Sequence, residues 1–228
     1  MLIRSFDIFL SGTALIVLSP LFMLVILILK FSGEGEIFFL QERIGINRKV
    51  FNLYKFATML KESPTIGTGT VTMKNDPRIL PVGSFLRKTK INELPQLFNV
   101  FIGDMSLIGP RPQTERCFDA FPTESQDIII RIKPGLSGIG PIVFRGEEDI
   151  LDGYDASLAF YDTVIGPYKA DVEAWYVEKK SLRVYFLLIL LTAWAVAFPK
   201  SGAIWKVFQD LPIPPTNLME GLNYPTIR

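Results

Sequence analysis

The 228-residue chain has no histidine and a single cysteine, Cys117. Without histidine, no Ser-His-Asp triad, Cys-His dyad, or His-ligated zinc or haem can form. One cysteine excludes an intrachain disulfide and a cysteine zinc cluster, and it fits a reducing compartment. Net charge is nearly absent as well. Twenty-four Lys+Arg against 23 Asp+Glu leave +1, so no global field selects nucleic acid and an anionic partner must meet local clusters. No internal repeat is visible, and Gly67 with Gly69 lacks the third glycine and the βαβ context of a dinucleotide fingerprint. Catalysis is left to Asp, Glu, Lys, Arg, Tyr or hydroxyls, with a hard metal such as Mg²⁺. Apolar residues make up 49% and charged residues 21%. That balance excludes a disordered chain, and charges every few residues argue against a polytopic transporter.

Charge disappears altogether from Ile8 to Leu29, between Asp7 and Lys30. A helix of that length covers roughly 33 Å, enough for a bilayer core. The Phe31 to Glu36 stretch lacks an A-x-A-like site, which argues against a cleaved signal peptide. Pro20, preceded by Ser19, removes a helical N–H and should bend the helix there. Two geometries follow: a kinked span, or a re-entrant hairpin with both ends on one face. Arg4 and Lys30 flank both ends, so the positive-inside rule does not choose between them. A second apolar run, Val184 to Phe198, makes only about 22 Å of helix, too short to span. It reads as a buried core helix or, as we favour, a helix in the interface with Trp194, Trp205 and lysines at headgroup depth.

Composition thus divides the chain into residues 1–32, a globular part at 33–180, and 181–228. Ile37 to Leu40 and Val50 to Phe56 read as short strands around a polar turn at Arg43 to Lys49. Glu62 to Pro81, rich in Thr, Gly and Pro, reads as a loop, with mobility expected around Thr65 to Thr72. Gly135 to Pro141 reads as a chain of turns. Tyr154, Tyr161, Tyr168 and Trp175 recur every seven residues, as a packed aromatic face would. Leu94, Leu97, Phe98 and Phe101 recur at helical spacing after Asn92, an N-cap residue type, with Glu93 and Pro95 in the expected first turn. Arg87, Lys88 and Lys90 precede that start, a natural anion site. Pro110 and Pro112 fix Arg111 between them, a preorganised fork suited to phosphate. Cations, a helix start, a carboxylate and a held arginine suggest phosphoryl transfer. Asp104 reads as a Gly-Asp turn or a metal contact. The charged run Arg145 to Asp149 reads as a solvated face or as a contact for sugar or uridine.

These residues resemble the monotopic phosphoglycosyl transferases, bacterial sugar transferases that start surface-glycan assembly. The resemblance rests on Ser19-Pro20, Lys55-Phe56 before Met59, Asn75-Asp76-Pro77-Arg78, Arg87 to Leu97, Gly103 to Ser106, Gly109-Pro110-Arg111-Pro112 and Lys133-Pro134-Gly135. It implies an α+β fold: a re-entrant N-terminal membrane helix broken at Ser19-Pro20, a small cytoplasmic α+β domain, and interfacial C-terminal helices. It places the protein on the cytoplasmic face of the bacterial inner membrane, among membrane lipids. The implied activity is transfer of sugar 1-phosphate from a UDP-sugar to polyprenyl phosphate, with release of UMP and a requirement for Mg²⁺. In the family an Asp attacks the diphosphate and the following Glu helps hold the metal. Glu93 matches that Glu; Arg87, Arg111 and Lys55 match phosphate-handling positions, with Pro110 and Arg145 expected at the substrate.

Asn92 stands at the nucleophile position, and a carboxamide is a poor nucleophile towards phosphorus. Four explanations follow: an engineered knock-out, Glu93 as nucleophile, direct attack by polyprenyl phosphate, or binding without turnover. We read the chain as a variant that retains transfer. A catalytically silent membrane adaptor or nucleotide-sugar binder is the alternative, and a bitopic protein with one anchoring span is a third. The sugar, the prenyl length and the oligomeric state are not encoded in any motif.

Overall fold

The computed structural model describes residues 2–66, 76–152 and 157–225. The expected loop centre around Thr70, including Gly67, Gly69 and Asn75, and Tyr154 of the aromatic series lie outside them. By contact the chain forms two compact units, Met1–Arg43 with Phe51–Asp104, and Ile44–Val50 with Met105–Arg228. Each mixes helices with a small sheet, so the expected α+β class is what is found.

The first unit opens with α1 (Leu2–Val17) and α2 (Ser19–Lys30), bent by 60° at the break between them. The bend falls where Ser19-Pro20 predicts it. Pro20 sits in the first turn of α2, where its missing N–H is an orphan in any case. Ser19 Oγ donates back to the Ile16 carbonyl at 2.8 Å. Among the described residues no single helix is long and apolar enough to cross a membrane. The two strands follow as β1 (Phe38–Ile44) and β2 (Val50–Phe56), which form one two-stranded sheet.

Next come α3 (Pro81–Lys88) and α4 (Gln96–Ile102), with a 3₁₀ turn at Ile91–Glu93 between them. Helix α3 occupies a stretch that reads as loop and lead-in; Pro81 at its first turn and Val82, Phe85 and Leu86 at helical spacing were the available signal. Arg87 and Lys88 therefore fill a helix's last turn, where the macrodipole favours cations, and do not merely precede one. Arg4 of α1 closes α4 by donating to the carbonyls of Val100 at 2.6 Å and Phe101 at 2.7 Å. Those carbonyls have no intrahelical partner to lose. On α4 the buried face is Leu97 with Val100, while Phe98 and Phe101 are exposed, contrary to the expected stripe.

In the second unit β3 (Ser106–Ile108) is followed by α5 (Glu115–Asp119), α6 (Thr123–Ile129) and β4 (Gly135–Ser137). β3 and β4 pair in parallel, Ser106 with Gly135 and Ile108 with Ser137. The chain continues through α7 (Ile139–Val143), α8 (Glu147–Asp152), α9 (Ser157–Phe160), α10 (Gly166–Lys179), α11 (Leu182–Ala197) and α12 (Ala203–Val207). Gly135 to Pro141 is thus a strand running into a helix, and not the series of turns its glycines suggest. Three-residue buried strands carry no alternation to detect. The aromatic face holds where it is described: Tyr161, Tyr168 and Trp175 are all buried. Trp205, expected at headgroup depth, is a core residue whose Nε1 donates to the Leu222 carbonyl at 3.0 Å. Helix α11 buries Tyr185, Leu188 and Leu191 and exposes Leu182, Phe186, Leu190 and Trp194, so it has a core face and an open apolar face.

Candidate functional site

In the first unit, one hydrophobic cluster sets the candidate residues. Val25 and Leu29 of α2, Phe56 and Leu86 are its buried members, and Ile91 packs against it. Phe56, Leu86 and Ile91 are the sequence neighbours of Lys55, Arg87 and Asn92. Burying the three apolar side chains therefore anchors the backbone of three polar ones to a common base. Lys55 on β2 is half-buried, and its Nζ donates to Gln41 Oε1 at 3.3 Å, an oxygen that also accepts from Arg43 at 2.6 Å. Arg87, half-buried at the end of α3, places Nη1 3.8 Å from the Met59 sulfur. Lys90 turns the chain out of α3 in the left-handed region, at φ 61°.

Asn92 does not cap a helix as its sequence position suggests. It lies inside the 3₁₀ turn, α4 starts only at Gln96, and Pro95 stands at its cap position with no side-chain cap bond. The extra turn of 3₁₀ structure moves the side chain off the amides it would cap. Asn92 is 5% exposed and its Oδ1 has no hydrogen-bond partner. A buried carbonyl oxygen left unpaired costs about 1–3 kcal/mol. Glu93 beside it is half-buried. Asp104 follows Gly103, which takes φ 104° at the end of α4, and its Oδ2 accepts from Asn99 Nδ2 at 3.3 Å.

In the second unit, the Gly109–Pro112 turn leaves the end of β3. Gly109 N–H donates to the Ser137 carbonyl at 3.0 Å, and the Pro110 carbonyl accepts from Gly135 N–H at 2.8 Å. A Cβ on Gly135 would stand 2.0 Å from Gly109 N, so this close backbone approach requires glycine. Arg111 N–H donates to Oε1 of Glu173 at 2.9 Å. Glu173 was not found in the sequence, since a carboxylate bonded to a distant main-chain N–H leaves no motif. Burial pushes its carboxyl up to about 7, opposed by the Arg111 and Gly140 N–H groups and by the charges of Lys169 and Arg111. Pro110 is buried and Arg111 half-buried. Arg111 and Gln113 line a narrow crevice whose walls include Ile44, Phe118, Ile129 and Ile132.

Arg145 is half-buried between α7 and α8. Within the charged run it opens, Glu147 pairs at 2.6 Å with Lys169, whose ammonium lies 5.3 Å from the Phe144 ring centre. That part of the run is neither a solvated face nor a free ligand contact, because a buried Lys169 requires its anion. Among the described residues no group of three or more acidic or Cys side chains converges as a metal cage.

Comparison with known proteins bears on the chain as a whole. The profile of the family described as bacterial sugar transferase matches residues 1–199. The exopolysaccharide production protein ExoY of Sinorhizobium fredii is 34% identical over 213 residues, covering 87% of each chain. The UDP-glucose:undecaprenyl-phosphate glucose-1-phosphate transferase of Escherichia coli is 35% identical over 160 residues, which are 69% of this chain and 34% of that protein. The undecaprenyl-phosphate galactose phosphotransferase of Salmonella typhimurium is 33% identical over 215 residues, 88% of this chain and 41% of the other. A family match across both compact units, with relatives named for moving sugar phosphates, leads to one conclusion: the chain belongs to the bacterial sugar transferase family.

Proposed function

We propose that this chain transfers sugar 1-phosphate from a UDP-sugar to polyprenyl phosphate and releases UMP, on the cytoplasmic face of the bacterial inner membrane. The observation that carries the reading is that Phe56, Leu86 and Ile91, the sequence neighbours of Lys55, Arg87 and Asn92, pack in one hydrophobic cluster. Cations and a carboxylate held on a rigid base suit a diphosphate, whose charge otherwise repels an anionic attacker. Relatives named as transferases from UDP-glucose or UDP-N-acetylgalactosamine to undecaprenyl phosphate support the substrate pair. The open apolar faces of α1, α2 and α11 support membrane lipids as the surroundings, with the 1–32 and 181–228 segments at the bilayer and 33–180 outside it.

Asn92 acts in this reading as a neutral binder and not as the nucleophile. The acceptor phosphate oxygen attacks the sugar-bearing phosphorus directly; that P–O bond forms as the bond to the UMP oxygen breaks, and UMP carries the electron pair away. In the first unit Lys55 and Arg87 are phosphate-binding residues; taken by itself, the second unit offers Arg111 for phosphate, with Pro110 and Arg145 as substrate residues. Mg²⁺ suits Glu93 and the unpartnered Asn92 oxygen: both are hard oxygen donors, and one carboxylate with substrate phosphates is a common magnesium environment. When bound it would neutralise diphosphate charge.

The test is UMP release by the purified protein with Mg²⁺, polyprenyl phosphate and a panel of UDP-sugars, alongside Asn92→Asp and intact-mass measurement. Release by the unmodified chain, with no added sugar-phosphate mass, is expected. A covalent adduct on the unmodified chain would move the attack to Glu93. Release from Asn92→Asp alone would show a disabled enzyme. Silence from both would favour a membrane adaptor, the reading that Asn92 itself recommends.

A further inference from the structure

Proline lacks an N–H, so Arg111, set between Pro110 and Pro112, carries the only backbone donor between Gly109 and Gln113. That donor goes to a side chain 62 residues away: Glu173 Oε1, at 2.9 Å. Glu173 is wholly buried, and one turn further along α10 the buried Tyr176 donates to the Ile108 carbonyl at 3.2 Å. Helix α10 thus grips the chain on both sides of the Gly109-Pro110 step. A Cβ on Gly140 would lie 2.0 Å from the same Glu173 oxygen, so α7 is shaped to admit the carboxylate.

A desolvated carboxylate is a costly partner for main-chain N–H groups, here those of Arg111 and Gly140, which neutral carbonyls would satisfy. Its second oxygen, Oε2, has no hydrogen-bond partner. The charged groups around it are Lys169 from α10 itself, bonded to Glu147 of α8, and Arg111 from the turn. Burial has driven its carboxyl towards neutrality, and the Arg111 N–H is the first opposing influence.

We propose that Glu173 is a positioning residue for Arg111: its carboxyl oxygen fixes the Arg111 main chain so that the guanidinium is held for phosphate. This rests on the reading of Arg111 as a phosphate-binding residue. Glu173 touches no substrate and acts only through the turn.

Hydrogen exchange and kinetics test it together on the full chain. In a peptide containing residues 110–112, Arg111 supplies the one exchangeable backbone amide that the turn can protect. That amide should exchange slowly in the wild type and in Glu173→Gln, which keeps an acceptor oxygen, and quickly in Glu173→Ala. With UDP-glucose, UDP-galactose and UDP-N-acetylgalactosamine as donors, Glu173→Ala should lose roughly 10–100-fold in kcat/KM for UMP release, the scale of a small misplacement. Glu173→Gln should recover most of that loss. The Arg111→Ala, Glu173→Ala double variant should be no slower than Arg111→Ala alone.

A protected Arg111 amide in Glu173→Ala would overturn the proposal. So would losses that multiply in the double variant, or a Gln variant as slow as Ala with its amide still protected. Wild-type kinetics in Arg111→Ala, or no UMP release from any donor, would instead remove the phosphate role or the proposed reaction. The exchange result would still decide whether Glu173 holds the turn.

Discussion

Residues 90–95 and residues 109–112 each carry a candidate site residue, and their backbones are held differently. In the first, Lys90 sits at positive φ and Asn92 keeps a buried oxygen without a partner. In the second, both backbone donors of the turn are bonded, one of them to a buried carboxylate. The difference separates two ways of preparing a site. Under the proposed function, one leaves a side-chain oxygen open to a ligand, and the other spends a buried carboxylate on fixing a main chain beneath a side chain.

The strongest challenge to this contrast is to break the backbone contact beneath the second region. Gly135→Ala puts a methyl 2.0 Å from Gly109 N and 2.4 Å from the Ser137 carbonyl oxygen. Neither is a flexible side-chain end, so thermal melting should show a loss of about 3 kcal/mol or more.

Glu173 gives the next largest effect, through pH. Its folded-state pKa of about 7 lies above the ordinary 4.5, so the folded chain holds the proton longer than the unfolded chain. Stability is therefore lost as pH rises from about 4.5 to above 7, by about 3 kcal/mol in all. Denaturant melts from pH 5 to 8 should show that decline in the wild type and not in Glu173→Gln.

A smaller loss is expected beside the first region. Asn99 accepts from Tyr54 N–H at 3.0 Å and donates to the Asn52 carbonyl at 2.8 Å, joining α4 to β2. Asn99→Ala should cost about 1–3 kcal/mol by leaving those groups unpaired. Least of all is Asn92→Ala, which removes an atom that has no partner to lose. Its unfolding free energy should stay within about 0.5 kcal/mol of wild type or rise, while UMP release falls. A marked destabilisation would mean that Asn92 is part of the scaffold after all.

Much of this was legible from sequence where the determining contacts are local. The Ser19-Pro20 break, the β1–β2 pair and the helix that holds the Val184 to Phe198 run follow from proline geometry, β-branched and aromatic runs, and an unbroken apolar stretch; the Ser181 hydroxyl that accepts from Val184 N–H at its start was added by the structure. Asn92 misled because a cap and a buried 3₁₀ residue are written with the same letters; the choice was made by Ile91 packing into the α2 cluster. Trp205 misled because an interfacial and a buried indole look alike until Leu222 is brought under it. Glu173 could not be found at all, since its partner is a main-chain atom whose identity sequence does not encode. The candidate residues were visible; the scaffold that aims them was not.

The clamp of Arg4 on α4 has a consequence in time. Its two acceptors lie 96 and 97 residues later in the chain. At about 5–20 residues per second of synthesis, α1 exists for roughly 5–20 s before the helix it closes has been made. During that interval the guanidinium and the apolar flanks of α1 and α2 must be accommodated elsewhere, and nascent α4 inherits a partner already in position. Slowing translation just after residue 88 should therefore lengthen the interval in which α1 stands without α4.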